Sequence, residues 1–333
     1  MLKYVIKRIA LMLVILFGVS VITYILIRLL PTDYIDQKFQ SQLAQGLVHE
    51  EDLIRIKEIY GLADSSFGGL LRGYFHWIGN VFKGDLGVSF KYGLPVGQVI
   101  MRNMWISFAI SFIGLVLEVL IAIPLGVLAA TKQYSIYDYI VTFFTMIGIS
   151  LPTFFLAYLL MDTFSVNLGW LPLQGLQNAS QVGTPGYNAA SDITLHLILP
   201  IITLVILSIG GLMRYTRTNM LEVLNSDYIR TARAKGLGER SVIYGHAFRN
   251  TMVPLVTLLA GTLPSLFSGA LITETVYAIP GIGKMAYDAL VIGDVPFVMG
   301  YFMFLAILTL LGTLFADLAY MLVDPRVKLT GGK

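Results

Sequence analysis

The chain has 333 residues, 56% hydrophobic and only 13% charged, with a mean hydropathy of +0.76. A soluble domain carries about 25% charged residues, so this chain is not one that covers itself with a polar surface, and it belongs in a bilayer. The net charge of +3 carries no nucleic-acid signature, and the absence of cysteine excludes disulfides, Cys-ligated zinc and thiol nucleophiles.

At the N-terminus, Lys3, Lys7 and Arg8 precede an apolar run, and Gly18-Val19-Ser20 mimics a small-x-small cleavage site. The run continues without a charge for 19 residues, from Ile9 to Ile27. That length crosses a hydrocarbon core of about 30 Å and exceeds a signal-peptide apolar region, so it predicts an uncleaved first span. Five further apolar segments are long enough to cross, giving spans at about 9–30, 104–130, 137–161, 195–213, 254–273 and 297–322. Helices are the expected form, because an apolar segment in lipid must satisfy its own backbone.

Residues 31–100 are too long for a turn. His49 to Leu62 places Leu53, Ile56, Ile59 and Tyr60 on one helical face. Leu70, Leu71, Tyr74, Phe75, Trp77, Ile78, Val81 and Phe82 then form an aromatic-rich stripe of the kind that lies in a membrane interface. Two readings stand for this region: a plug over the top of the bundle, or a docking platform for an external protein.

Lysine and arginine set the orientation. They cluster in the N-terminus, at Lys132, across 214–249 (Arg214, Arg217, Arg230, Arg233, Lys235, Arg240, Arg249) and in the tail (Arg326, Lys328, Lys333). With six spans these segments share one side, so both termini and the basic segment are expected in the cytoplasm and 31–100 outside. The expected organisation is an N-terminal transmembrane helix over 1–30, an extracellular helical region over 31–100, a transmembrane core over 101–322 with a cytoplasmic segment at 214–250, and a cytoplasmic tail over 323–333.

Within the basic segment, DYIRTARAKGL (Asp227 to Leu237) reads as a short helix. Ser226 or Asp227 can cap it and Gly236 suits its end, with Arg233 and Lys235 near the negative end of the dipole. Tyr228, Thr231, Ala232 and Lys235 fall on one face by helical spacing, and Arg230 and Arg233 on another. A second helical stretch is predicted from Glu239 to Asn250, before a span opened by Pro254. The segment is either a knob for a partner or a positive-inside loop.

Charges inside spans are costly and mark functional candidates. Glu118 lies mid-span and is a pathway candidate, with pairing to a neighbouring subunit or a protonated carboxyl as its alternatives. Asp317 is expected to be structural, ion-paired near the cytoplasmic end. Asp162, Glu274 and Arg28 lie near span ends. Pro124, Pro152, Pro200 and Pro264 are expected to be packing kinks. His49, His76, His196 and His246 share no metal-ligand spacing. The nearest approach to a GxxxxGK[ST] phosphate loop, Ala278 to Met285, lacks both the first Gly and the Ser/Thr. The same AIPGIG stretch, with Glu274, Pro280, Gly281 and Gly283, breaks a helix near the expected outer gate, or is an ordinary loop.

DYIRTARAKGL, followed by HAFRN (His246 to Asn250) and Pro254, resembles the cytoplasmic loop of ABC-importer permeases of the oligopeptide/dipeptide (peptide/nickel) family, first-permease type. WIGNVFKGDLGVSF (Trp77 to Phe90), IPLGVLAA (Ile123 to Ala130), SLPTF (Ser150 to Phe154), ETVYAIPGIG (Glu274 to Gly283) and DLAYMLVDPR (Asp317 to Arg326) match further family blocks in the family's order. The resemblance implies an all-α polytopic membrane protein with six transmembrane helices, the type I ABC importer permease fold, in a bacterial or archaeal cell membrane. It implies a non-catalytic subunit with no cofactor of its own, ATP and magnesium being bound by partner ATPases. The implied partners are a second homologous permease in a heterodimer, two cytoplasmic ATPases, an extracellular substrate-binding protein, a peptide substrate and membrane lipid, with no nucleic acid. Asp227, Tyr228, Arg230, Thr231, Ala232, Arg233, Lys235, Gly236 and Leu237 would form the ATPase-coupling helix. Arg230, Thr231 and Ala232 stand where the general permease motif has Glu-Ala-Ala, and Pro31-Thr32-Asp33-Tyr34 replaces the family's Pro-Gly-Asp-Pro. Nickel or glutathione import within the family, and a secondary transporter or channel acting alone, are the competing functions. No convincing internal repeat supports the latter, and no HExxH or nucleophile–base set in the spans supports an intramembrane enzyme.

Overall fold

A computed structural model describes residues 2–28 and 66–323, with side chains over 6–26 and 66–315. The predicted helix from His49 to Leu62, the Pro31–Tyr34 turn and the tail beyond 323 lie outside the described residues. The side chains of Arg28 and Asp317 lie outside them too. All regular elements among the described residues are helical.

In chain order these are α1 (Leu2–Arg28), α2 (Phe67–Phe82), α3 (Val96–Thr131), α4 (Ile136–Ser150) and α5 (Thr153–Met161), the last continued by a π-helical turn Asp162–Asn167. Then come α6 (Ala189–Leu224), α7 (Asp227–Ala234), a π-helical segment Ser241–Phe248, α8 (Arg249–Thr262), a 3-10 turn Leu263–Phe267, α9 (Leu271–Val276), α10 (Ile282–Ile292) and α11 (Val295–Val323). Among the described residues five helical segments are long and apolar enough to cross a membrane, or six if a bent pair counts as one span.

Two predicted elements take a different form. The third span is not one rod: α4 and α5 meet at 101° across Leu151–Pro152. Pro152 disfavours helical backbone at Leu151, which is extended (φ −81°, ψ 133°), so the helix stops and restarts. The second helix of the basic segment is not separate either. Its π-helical turns run without a break into α8, and Pro254 lies inside that helix instead of opening it.

The chain divides into two compact units. The first combines the described residues up to Trp105 with Ile282–Leu311. In it Tyr74 of α2 is buried against α1, its hydroxyl 2.7 Å from that of Ser20 and its ring edge-on to Tyr24. The stripe on α2 is therefore split, since Phe75 and Phe82 remain exposed. The segment after α2 is pinned by buried Asp294. That carboxylate accepts from the Ser89 hydroxyl at 2.5 Å, the Lys91 amide at 2.9 Å and the Phe297 amide at 3.2 Å. Lys91 and Lys284 both reach Asp288 (3.1 and 2.7 Å). Burial raises the Asp288 carboxyl, but the two ammonium groups outweigh it and leave it below the usual range.

The second unit holds Ile106–Gly281 and the described residues from Gly312. Its frame is the pairing of α4 with α6. A Cβ on Gly148 would strike the Ile206 carbonyl, and one on Gly210 would strike the Thr145 carbonyl and the Ile149 side chain. Small residues thus let the two backbones approach closely, as between helices in lipid. At the start of α4, Arg217 of α6 grips Asp138 through two bonds of 2.8 Å each.

Candidate functional site

The basic segment folds as a short helix bolted to the second unit. Ser226 is extended and caps α7 by position, but its hydroxyl turns back to the Val223 carbonyl at 2.6 Å. At the other end the Gly236 amide donates to the Arg233 carbonyl (2.9 Å) and the Leu237 amide to Ala232 (3.4 Å). This pair of bonds is the Schellman closure, and it needs a left-handed residue at Gly236, whose φ is +78°. Glycine is the residue that adopts that backbone without cost.

Ile229 and Ala232 are buried from α7 into a core with Met220, Val242, Ala247 and Leu255. Ala130 and Val127 of α3 complete the floor. Burying an Ile side chain contributes roughly 1.5–3 kcal/mol, so the knob is held by packing as well as by its ends. The π-helical turns supply Val242 and Ala247 to this core. The Thr251 hydroxyl ties α8 to the same layer through Ala247 O (3.0 Å) and Met220 Sδ (3.2 Å).

Of the nine residues expected on the coupling surface, Ala232 therefore faces inward. Asp227, Tyr228, Arg230, Thr231, Arg233, Lys235, Gly236 and Leu237 are exposed. Ile229, which is not among those nine, is the anchor, and its position three residues before Ala232 is the sequence signal for it. Arg233 is held by Glu239 across the glycine break (2.8 Å), and this contact lowers the Glu239 carboxyl below its usual range. Among the described residues Arg230 makes only an exposed 3.6 Å contact with Asp227.

The AIPGIG stretch is a locked turn. Glu274, fully buried in α9, accepts from the Ala270 amide at 3.0 Å, and a Cβ on Gly281 would run into its carboxylate and the Ser107 hydroxyl. Tyr277 is buried with its hydroxyl 2.9 Å from that of Thr203, and its carbonyl accepts from the Gly175 amide at 2.8 Å. Ala278 adopts φ 53°, a backbone that a β-carbon resists. Pro280 is half-buried in the turn. Gly283 belongs to the first unit, buried in α10. Glu118 is half-buried on α3, where the Ser208 hydroxyl of α6 meets its carboxylate. Glu118 and Glu274 thus have local partners and are not gathered into one acidic cluster. Among the described residues no group of His, Cys, Asp and Glu is arranged to hold a metal.

The Asp138–Arg217 fork was not singled out in the sequence. Its signal was Ser135 three residues before Asp138, a helix-start pattern, and the Asp138 amide does donate to the Ser135 hydroxyl (3.4 Å).

A profile of the family described as "Binding-protein-dependent transport system inner membrane component" matches residues 122–329. The chain is 35% identical to the oligopeptide transport system permease protein AppB of Bacillus subtilis, covering 98% of this chain and all of that one. It is 31% identical to the dipeptide transport system permease protein DppB of Alkalihalophilus pseudofirmus, over 98% of this chain and all of the relative. Among solved structures, an inward-facing MetNI methionine ABC transporter chain aligns with a TM-score of 0.53 at 19% identity, covering 68% of this chain and 97% of that one. That likeness concerns the fold.

Proposed function

Because the chain belongs to the family of binding-protein-dependent transport system inner membrane components, and is thus a multi-pass membrane permease subunit of an ABC importer, we propose that it carries di- or oligopeptides inward by alternating access. The observation that carries the peptide assignment is full-length similarity to permeases named for oligopeptide and dipeptide transport. On this reading of the family, energy comes from two separate cytoplasmic ATPases; the chain's own nearest phosphate-loop sequence lacks its Gly and Ser/Thr. A second homologous permease completes the pathway, and an extracellular binding protein delivers substrate.

In this reading both termini are cytoplasmic, 31–100 is extracellular, and α7 is the coupling helix. Support for α7 is physical. It is rigidly anchored by Ile229 and Ala232 while Tyr228, Arg230, Lys235 and Leu237 remain exposed to a partner. Glu118 is the pathway candidate. Glu274, Pro280 and Gly281 of the second unit are gate candidates, as is Gly283 of the first, and Asp317 is a structural ion-pairing residue. Coupling follows the logic of a two-state element: ATP closure moves the docked helix, and the packed core beneath it transmits the motion.

The test is ATP-dependent uptake of labelled di- and tripeptides into vesicles holding the chain with the products of its neighbouring genes. Uptake that needs ATP and all subunits is expected. Peptide uptake by the lone chain on an ion gradient would overturn the reading, and ATP-driven uptake of nickel or glutathione without peptide would redirect it.

A further inference from the structure

Beside the Asp138–Arg217 fork, α4 and α6 enclose a cleft of about 430 Å³ lined by Thr142, Thr145, Met146, Met213, Arg214, Arg217 and Thr218. Its charges do not cancel. Both carboxylate oxygens of Asp138 are taken by Arg217. Arg214 has no ion-pair partner among the described residues, and no acid lines the cleft. The hydroxyls divide in the same way. Thr145 donates to the Val141 carbonyl of its own helix (2.8 Å), and Thr142 is 3.4 Å from Asp138. Thr218 has no such engagement among the described residues. Arg214 and Thr218, four residues apart, therefore present a guanidinium and a free hydroxyl from one face of α6.

The level of this cleft identifies its occupant. Arg214 follows directly on the apolar run 195–213, so it stands where the hydrocarbon gives way to lipid head groups. From that level α4 runs along the apolar zone with Phe143, Met146 and Ile147 exposed at 62%, 48% and 41%. We propose that the cleft binds the phosphodiester of an anionic phospholipid, with Arg214 and Thr218 holding the phosphate oxygens and an acyl chain lying along α4. Basic pockets between transmembrane helices suit such head groups, and a guanidinium fork matches two phosphate oxygens. A zwitterionic peptide fits less well, because the one net positive charge left by Arg214 attracts its carboxylate but repels its ammonium group. Asp138 serves the site indirectly, by neutralising and orienting Arg217 so that one net charge remains.

The experiment is mass spectrometry of the full chain, with whatever subunits copurify, released from nanodiscs of phosphatidylcholine mixed with phosphatidylglycerol. The wild type is expected to retain phosphatidylglycerol in preference to phosphatidylcholine. Arg214→Gln should lower that preference roughly fivefold, the share of one arginine near a membrane surface. Thr218→Val, which leaves every charge in place, should lower it by less and carries the test if Arg214→Gln does not fold. Absence of preference in the wild type, or an undiminished preference in both variants, overturns the proposal. Displacement of the retained lipid by added dipeptide also overturns it, assigning the cleft to a peptide carboxylate. The readout involves neither ATP nor uptake, so it stands or falls separately from the transport reading.

Discussion

Gly236 ends α7 through a left-handed turn with open space around its α-carbon, so a side chain there meets backbone strain and not a steric wall. Gly236→Val should cost about 1–2 kcal/mol at that turn, loosening the Schellman closure without touching the core under Ile229. The expected outcome is uncoupling, read as more ATP hydrolysed per peptide taken up; a wild-type ratio would remove α7 from the coupling path. The neighbouring Arg233–Glu239 pair is titratable. Arg233 holds Glu239 below its usual value, so the folded form is the weaker proton binder. The pair's contribution is complete above the ordinary Glu value and fades as pH falls through the depressed one. The thermal midpoint of the wild type should therefore fall more on acidification than that of Glu239→Gln, and equal slopes would show the pair to be inert. Gly236 was legible in the sequence because only a helix end asks for glycine there. The inward turn of Ala232 was legible only through its spacing from Ile229, since charge pattern says which residues are polar but not which face finds a floor.

At the scale of elements, the pairing of α4 with α6 rests on Gly148 and Gly210 in the apolar zone and on the Asp138–Arg217 fork at its end. Asp138→Asn leaves a guanidinium that is about a quarter exposed without its carboxylate, a loss of about 1–3 kcal/mol, less than for a fully buried pair. Detergent thermal shift should register it, while Asp138→Asn combined with Arg217→Met should recover part of the loss. No recovery in the double variant would show that the fork is not what holds these helices. The existence of six apolar segments was readable from hydropathy alone. The bend at Pro152 was readable only as a possible kink, because proline licenses several geometries and the packing of α4 and α5 on α6 selects one. The continuity of the π-helical turns with α8 was hidden for a related reason: the polar residues before Pro254 look like a boundary, yet Val242 and Ala247 are drawn into the core beneath α7.

At the scale of the whole molecule, topology is the testable quantity, and a chain without cysteine suits it. Lys235→Cys should react with a membrane-impermeant maleimide only from the cytoplasmic side, and Val182→Cys, in the stretch without Lys or Arg, only from outside; labelling of both from one side would contradict the six-span arrangement. Composition and the order of apolar segments by themselves determined that the chain is a helical multi-pass membrane protein, because hydrocarbon admits no other backbone solution for such runs. The ordered motif blocks likewise determined its family, since such a series arises by descent, not by chance. Only the tertiary structure decided which face of α7 is buried, that Glu274 sits inside a locked turn, and that Arg217 is neutralised while Arg214 is not. Those outcomes depend on which distant residues meet. Asp138 and Arg217 are 79 positions apart and Tyr277 and Thr203 are 74, and no local pattern of charge or hydropathy encodes a contact across that distance.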